Sequence, residues 1–223
     1  VNLWYNAWML YGKLTFNTLA QWKVEGRENI PPKGPLLVVS NHLSNGDSPV
    51  VMVAFNRPLH ALAKDDLFKH RLFGAYLCSM GAHSVNPDGT DKAAIRWALR
   101  LLAQDRAILM FPEGTRSQKP GMRPAYVGVA YLALKSQAPI VPVALTGTEG
   151  IGPIWRLTIP LCPIHVRIGQ PFTLPIIEGK LGKPILQQMT DLIMSRVAAL
   201  LPPDYRGHYA FPNSTPQQSS PNI

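Results

Sequence analysis

Two short runs hold the side chains best suited to chemistry. The first is Asn41-His42-Leu43-Ser44-Asn45-Gly46-Asp47, with a histidine five positions before a carboxylate. Histidine is the side chain best suited to accept a proton near neutral pH. A nearby carboxylate can hold its ring in one tautomer and stabilise the imidazolium. Spacing alone leaves a second reading open. Asp47 or Ser48 could cap a helix that begins at Pro49, with His42 packed on a strand end. The second run is Phe111-Pro112-Glu113-Gly114-Thr115-Arg116-Ser117. Arg116 offers a planar fork of donors to a phosphate, and Gly114 lets backbone N–H groups approach an anion. The competing reading is a turn whose Glu113 and Arg116 form an exposed ion pair of little worth.

The elements that would position these loops read as alternating strands and helices. Apolar runs at 36–39, 59–63, 82–85, 107–111, 140–145 and 164–168 have strand length. Segments 49–56, 67–79, 90–104, 125–135 and 185–201 are apolar at helical spacing, with Thr90 as a candidate cap. The expected fold is α/β: a mixed, largely parallel central sheet flanked by helices. Both chemical runs then fall where strands end, which is where open α/β sheets place their sites.

The chain has 223 residues, enough for one domain. The main body is expected at 35–205, with its motif core at 35–147. A linker at 23–34 carries Pro-Pro and a Pro-flanked glycine, and a Pro/Ser-rich tail at 206–223 reads as disordered. Residues 1–22 read as one amphipathic, membrane-associated helix. Asn2, Asn6, Lys13, Asn17 and Gln21 form a narrow polar stripe, and Trp4, Trp8 and Tyr11, with Tyr5 and Trp22, are types that favour a membrane interface.

Composition removes other classes. Lys+Arg 22 against Asp+Glu 13 gives +9, but only 16% of residues are charged. That favours a membrane surface or phosphorylated substrate over nucleic acid, which calls for denser cations with interleaved aromatics. Cys78 and Cys162 have no zinc spacing, and His-Glu-x-x-His is absent, so no metal site is expected. The other histidines stand beside no carboxylate at a suggestive spacing. No Gly-x-Ser-x-Gly elbow points to a serine esterase. No run of 18 apolar residues suggests a spanning helix, and no cleavable leader is read at the N-terminus.

Taken in order, four blocks resemble the glycerolipid acyltransferase family, the bacterial 1-acylglycerol-3-phosphate O-acyltransferases. They are Asn41–Asp47, then Lys64-Asp65-Asp66-Leu67 with Phe73-Gly74 and Gly81, then Phe111–Ser117, and finally Pro139-Ile140-Val141-Pro142-Val143-Ala144. One departure stands out: Pro87 occupies the place where the family often carries an arginine.

The resemblance implies acyl transfer from acyl-CoA or acyl-carrier protein to the hydroxyl of lysophosphatidate, giving phosphatidate without a cofactor. His42 would be the general base and Asp47 its orienting partner. Arg116 and Lys64 would bind the acceptor phosphate. Glu113, Gly114 and Thr115 would position the loop and supply oxyanion donors, and Pro142 would form a pocket wall. The expected location is monotopic, on the cytoplasmic face of the inner membrane. Other acceptors, such as glycerol 3-phosphate or another lysophospholipid, and a non-catalytic lipid-binding protein remain alternatives.

Overall fold

The computed structural model describes residues 3–55, 57–69, 71–85, 92–117, 121–152, 156 and 159–210. Seven strands form one sheet: β1 (Gln21–Glu25), β2 (Leu36–Ser40), β3 (Leu59–Lys64), β4 (Ala82–Val85), β5 (Ala107–Met110), β6 (Ile140–Thr146) and β7 (Pro163–Ile168). Their spatial order is β1-β7-β6-β2-β5-β3-β4. Every neighbouring pair is parallel except β6 with β7. The largely parallel α/β sheet expected from the alternation is therefore present.

Central strands in such a sheet are buried on both faces and read as continuous apolar runs. Leu36, Leu37, Val38 and Val39 of β2 are all fully buried. Strand alternation divides them between two layers. Leu36 and Val38 join the core beneath α1 (Leu3–Leu19) and α2 (Asp47–Ala54). Leu37 and Val39 join the core beneath α4 (Lys92–Ala103), α5 (Gly128–Ser136) and α6 (Lys183–Leu200). Between β3 and β4 lies α3 (Arg71–Ser79).

Several boundaries differ from the sequence reading. The first helix ends at Leu19, and Gln21 and Trp22 belong to β1, which also takes part of the expected linker. The cause is tertiary: β1 pairs with β7 over Gln21↔Pro163 to Glu25↔Arg167. Trp22 faces inward and stacks on Phe16 at 5.0 Å, so it is a packing residue and not an interfacial one. Gly26 then turns the chain with φ +80°, where a Cβ would collide with the Ile168 carbonyl.

Helix α5 starts three residues later than periodicity suggests. The Ala125 N–H donates to the Tyr209 hydroxyl at 3.1 Å, and the Tyr126 N–H to the Pro112 carbonyl at 2.8 Å, which holds both out of the helix. That same Tyr209 is buried in a 3-10 turn (Gly207–Tyr209), so the packed chain runs past 205 into the segment expected to be disordered. Thr90, Pro87 and residues 211–223 lie outside the described residues.

Helix α1 shows how the N-terminal segment is used. Tyr5, Met9 and Phe16 face the domain. Gly12 allows close packing on α2: a Cβ there would come within 2.7 Å of Val53 Cγ2. Leu3, Trp4, Leu10 and Leu14 point away and are exposed, as are the flanking Trp8 and Tyr11. Asn6, Lys13 and Asn17 form an exposed polar stripe between the two faces; Asn2 lies outside the described residues. The helix is thus apolar on two sides, one already packed. Among the described residues no helix is long and apolar enough to cross a membrane.

Candidate active site

The carboxyl end of β2 is locked before it reaches His42. Asn41 is buried, and its side chain bonds both backbone groups of Leu145 in β6, Nδ2 to O at 3.0 Å and N to Oδ1 at 2.8 Å. This pair fixes where the loop leaves the sheet. The chain then folds back so that Asp47, the first residue of α2, meets His42: Nδ1 to Oδ2 is 2.7 Å.

This geometry decides between the two readings of His-x4-Asp. The Asp47 side chain does not cap α2. Its Oδ2 accepts the Leu43 N–H at 2.6 Å and the Ser44 N–H at 2.8 Å, both ahead of the helix. The Ser44 hydroxyl lies 3.3 Å from Oδ1. Asp47 is fully buried, whereas the His42 side chain keeps 19% of its surface accessible. A carboxylate already holding two N–H donors can only accept from the ring, so Nδ1 carries the proton. Nε2 is then the basic nitrogen. The ring is clamped from one side by Phe111 at 4.3 Å between centroids.

Glu113 joins the second loop to the first. It is buried; Oε1 accepts the His42 N–H at 3.1 Å, and Oε2 accepts the Ser117 hydroxyl at 3.0 Å and the Arg123 N–H at 2.8 Å. The Ser117 N–H returns to the His42 carbonyl at 2.9 Å. Burial pushes the Glu113 carboxyl up from its ordinary value, opposed by the N–H groups of Arg123 and His42. Glu113 is therefore a structural brace behind the histidine, and the exposed Glu113–Arg116 ion pair is excluded.

Gly114 adopts φ +67°, and its N–H closes a turn onto the Phe111 carbonyl at 3.0 Å. That donor is committed, so it is not the oxyanion donor expected of it. The Thr115 N–H makes no hydrogen bond among the described residues, and Arg116 is exposed without a described partner. Lys64 closes β3, whose carboxyl end lies on the same edge of the sheet. Pro142 is a correction. It pairs with Val39 on the α6 face, and Gly169 is pressed against it, a Cβ there falling 2.8 Å from Pro142 Cγ. It packs where the β6–β7 ladder ends and lines no wall beside His42.

Sequence reasoning passed over Asn41, Phe111, Ser117, Arg123 and Tyr126 as working residues. Asn41, Phe111 and Ser117 sit inside the two motifs. Arg123 acts through its backbone, which leaves no sequence signal. Two of the remaining described histidines fill packing roles: His83 stacks on Trp97 at 4.4 Å, and His60 meets the same ring edge-on; His165 and His208 are exposed. No cluster of potential metal ligands occurs among the described residues.

Residues 21–146 match the family described as Acyltransferase, a span that holds the His42–Asp47 pair and the Glu113 brace. The chain belongs to the acyltransferase family. It is 33% identical over 128 residues to a 1-acyl-sn-glycerol-3-phosphate acyltransferase of Borreliella burgdorferi, covering 56% of this chain and 51% of that one. The chain thus spans about half the length of that relative, and of several others. A Bacillus subtilis protein of the same name is 24% identical over 80% of this chain and 87% of its own. Among solved structures, the 1-acyl-sn-glycerophosphate acyltransferase PlsC of Thermotoga maritima superposes with a TM-score of 0.67 at 25% identity, covering 88% of this chain and 79% of that one.

Proposed function

We propose that this acyltransferase moves an acyl group from acyl-CoA or acyl-carrier protein to the free hydroxyl of 1-acylglycerol 3-phosphate, forming phosphatidate. The observation that carries this is the buried Asp47 holding His42 Nδ1, which leaves Nε2 as an accessible base. The acceptor hydroxyl gives its proton to Nε2 as its oxygen bonds the thioester carbonyl carbon. The tetrahedral oxyanion needs a donor, and the Thr115 N–H is uncommitted among the described residues; one such donor contributes roughly 3 kcal/mol. The C–S bond then breaks, and the imidazolium returns the proton to the thiolate. Among the described residues no serine or cysteine side chain is hydrogen-bonded to His42, Ser44 and Ser117 bonding Asp47 and Glu113 instead, and the transfer is taken as direct. Arg116 and Lys64 hold the acceptor phosphate.

The same reading places the protein on the membrane as a monotopic enzyme, on the cytoplasmic face. The outward face of α1, with Leu3, Trp4, Leu10 and Leu14, has the apolar and aromatic make-up of an interfacial helix.

The test is thioester-dependent acylation by purified protein over a panel of lysophosphatidate, glycerol 3-phosphate and lysophospholipids bearing headgroups. Lysophosphatidate should be the preferred acceptor, and His42→Ala should lower turnover by about 10²–10⁴-fold with the fold intact. Preference for another acceptor would overturn the substrate assignment, and full turnover by His42→Ala would overturn the mechanism. Trp4→Ser with Leu10→Ser should reduce sedimentation with vesicles; unchanged binding would remove α1 as an anchor. Truncation through residue 22 is unsuitable, because it cuts β1.

A further inference from the structure

The catalytic edge of the sheet carries a second apolar patch, centred on the turn before β7 and reaching the last residue of α1. Strand β6 runs parallel to β2, so its carboxyl end lies on the edge that bears His42. Strand β7 is antiparallel to β6, with Thr146 opposite His165, so β7 begins on that edge. Strand β1 is parallel to β7 and starts in register with it, Gln21 opposite Pro163. The residues just before these two strands, Leu19 and Leu161, are therefore neighbours on the catalytic edge. Gly147, which follows β6, packs directly on the Pro163 carbonyl.

What precedes β7 is unusual for a water-facing turn. Leu161 is 72% exposed and Ile159 is 52% exposed, and Leu19 is exposed beside them. The turn has its own backbone bonds: the Leu161 N–H donates to the Ile159 carbonyl and the Ile159 N–H to the Arg156 carbonyl, each at 3.0 Å. Cys162 and Trp22, directly behind, pack into the α1–α2 core. Two large apolar side chains are thus held outward by a braced backbone.

The charge of this edge selects the partner. Arg116 and Arg123 of the Glu113 loop and Arg156 of the turn are all exposed. The two carboxylates of the active site, Asp47 and Glu113, are buried; Glu149, which accepts the Tyr205 hydroxyl, and Asp65 are exposed on this edge, so among the described residues the three arginines outnumber the two exposed acids. An edge that carries protruding Ile and Leu together with an excess of exposed arginines complements a bilayer surface with anionic headgroups.

We infer that the turn Ile159–Leu161, with Leu19, is a second membrane contact, one that docks the carboxyl edge of the sheet onto an anionic bilayer and presents His42 to lipid. This deepens the membrane reading given above and rests on it. It adds an orientation that α1 alone leaves open. The helix runs from Tyr5, which accepts the Leu59 N–H at the far edge of the sheet, to Leu19 at the catalytic edge. With only its side attached, the active site would open parallel to the surface; with the turn attached, the site tips towards the headgroups.

The experiment uses the full chain and vesicles of phosphatidylcholine with phosphatidylglycerol. The double variant Ile159→Ser, Leu161→Ser should lower the vesicle partition coefficient roughly tenfold or more. Its melting transition and its turnover on a monomeric short-chain lysophosphatidate should stay unchanged. Ile176→Ser is the control: Ile176 is 80% exposed but follows Phe172, which bridges Ile140 at the opposite edge, so its partition should be unaltered. Arg156→Gln should weaken binding to the anionic vesicles but not to pure phosphatidylcholine. Unchanged partition of the double variant, or an equal loss in Ile176→Ser, would overturn the inference. So would retained vesicle binding with turnover lost only for a carrier-protein donor, which would assign the patch to that protein. A wild-type chain that transfers no acyl group would strike the proposed activity alone, because vesicle partition is read without turnover.

Discussion

Asp47→Asn tests the proposed catalytic pair at its most specific point. In this site one oxygen, Oδ2, accepts all three N–H donors: the ring of His42 and the backbone of Leu43 and Ser44. The two backbone donors oblige the substituted amide to place its oxygen there. Its NH2 group then faces the Ser44 hydroxyl, which can rotate to accept. The His42 tautomer is therefore kept, and only the negative charge is lost. A hydrogen bond to a charged partner contributes about 1.5–3 kcal/mol, against about 0.5–1.5 for a neutral one. The difference, about 1–1.5 kcal/mol, falls on the imidazolium formed during transfer and amounts to roughly five- to tenfold in turnover. Asp47→Ala should behave otherwise. It strands the buried Leu43 and Ser44 N–H groups at about 1–3 kcal/mol each, so stability itself should fall by about 2–6 kcal/mol. Turnover of short-chain lysophosphatidate and urea unfolding read the two effects separately. If Asp47→Asn lost as much turnover as His42→Ala while unfolding at the wild-type midpoint, the amide would have turned its NH2 to the ring. The three-donor argument would then fail.

Glu113→Gln turns an NH2 group towards one of two N–H donors, His42 or Arg123, and should cost about 1–3 kcal/mol in urea unfolding. Because burial raises the Glu113 carboxyl above its unfolded value, the unfolded chain ionises first as pH rises; wild-type stability relative to Glu113→Gln should fall from the ordinary carboxylate range upwards, and a gap that widens instead would refute the raised value. Gly114→Ala puts a Cβ at φ +67°, 2.5 Å from Tyr126 Cε2, and should lower stability by about 1–2 kcal/mol or more in thermal unfolding; a neutral result would mean the loop has another conformation. Arg116→Lys keeps the charge but loses the planar fork, so KM for the phosphorylated acceptor should rise with little change in kcat, and an unchanged KM would place phosphate recognition elsewhere.

Much of the site was legible because its chemistry is local. His42 and Asp47 lie within one short run, and Glu113, Thr115 and Arg116 within another, so residue type and spacing, with the resemblance of the four blocks, named them as candidates. The alternating apolar runs also located β2, β5 and β6, since strands buried on both faces tolerate few polar residues. Tertiary structure decided whatever depends on a partner distant in sequence. Gln21–Glu25 is a strand because β7 lies beside it, although Gln21 and Trp22 continue a helical pattern and residues 23–25 read as linker. Residues 207–209 are ordered because Tyr209 reaches the Ala125 N–H, although their composition reads as tail. The choice between helix cap and histidine partner for Asp47 rested on which N–H groups its carboxylate meets, and spacing carries no such information. Pro142 left the site for the same reason: a strand's period of two assigns a residue to a face, but which face holds the histidine is known only once the helices have packed.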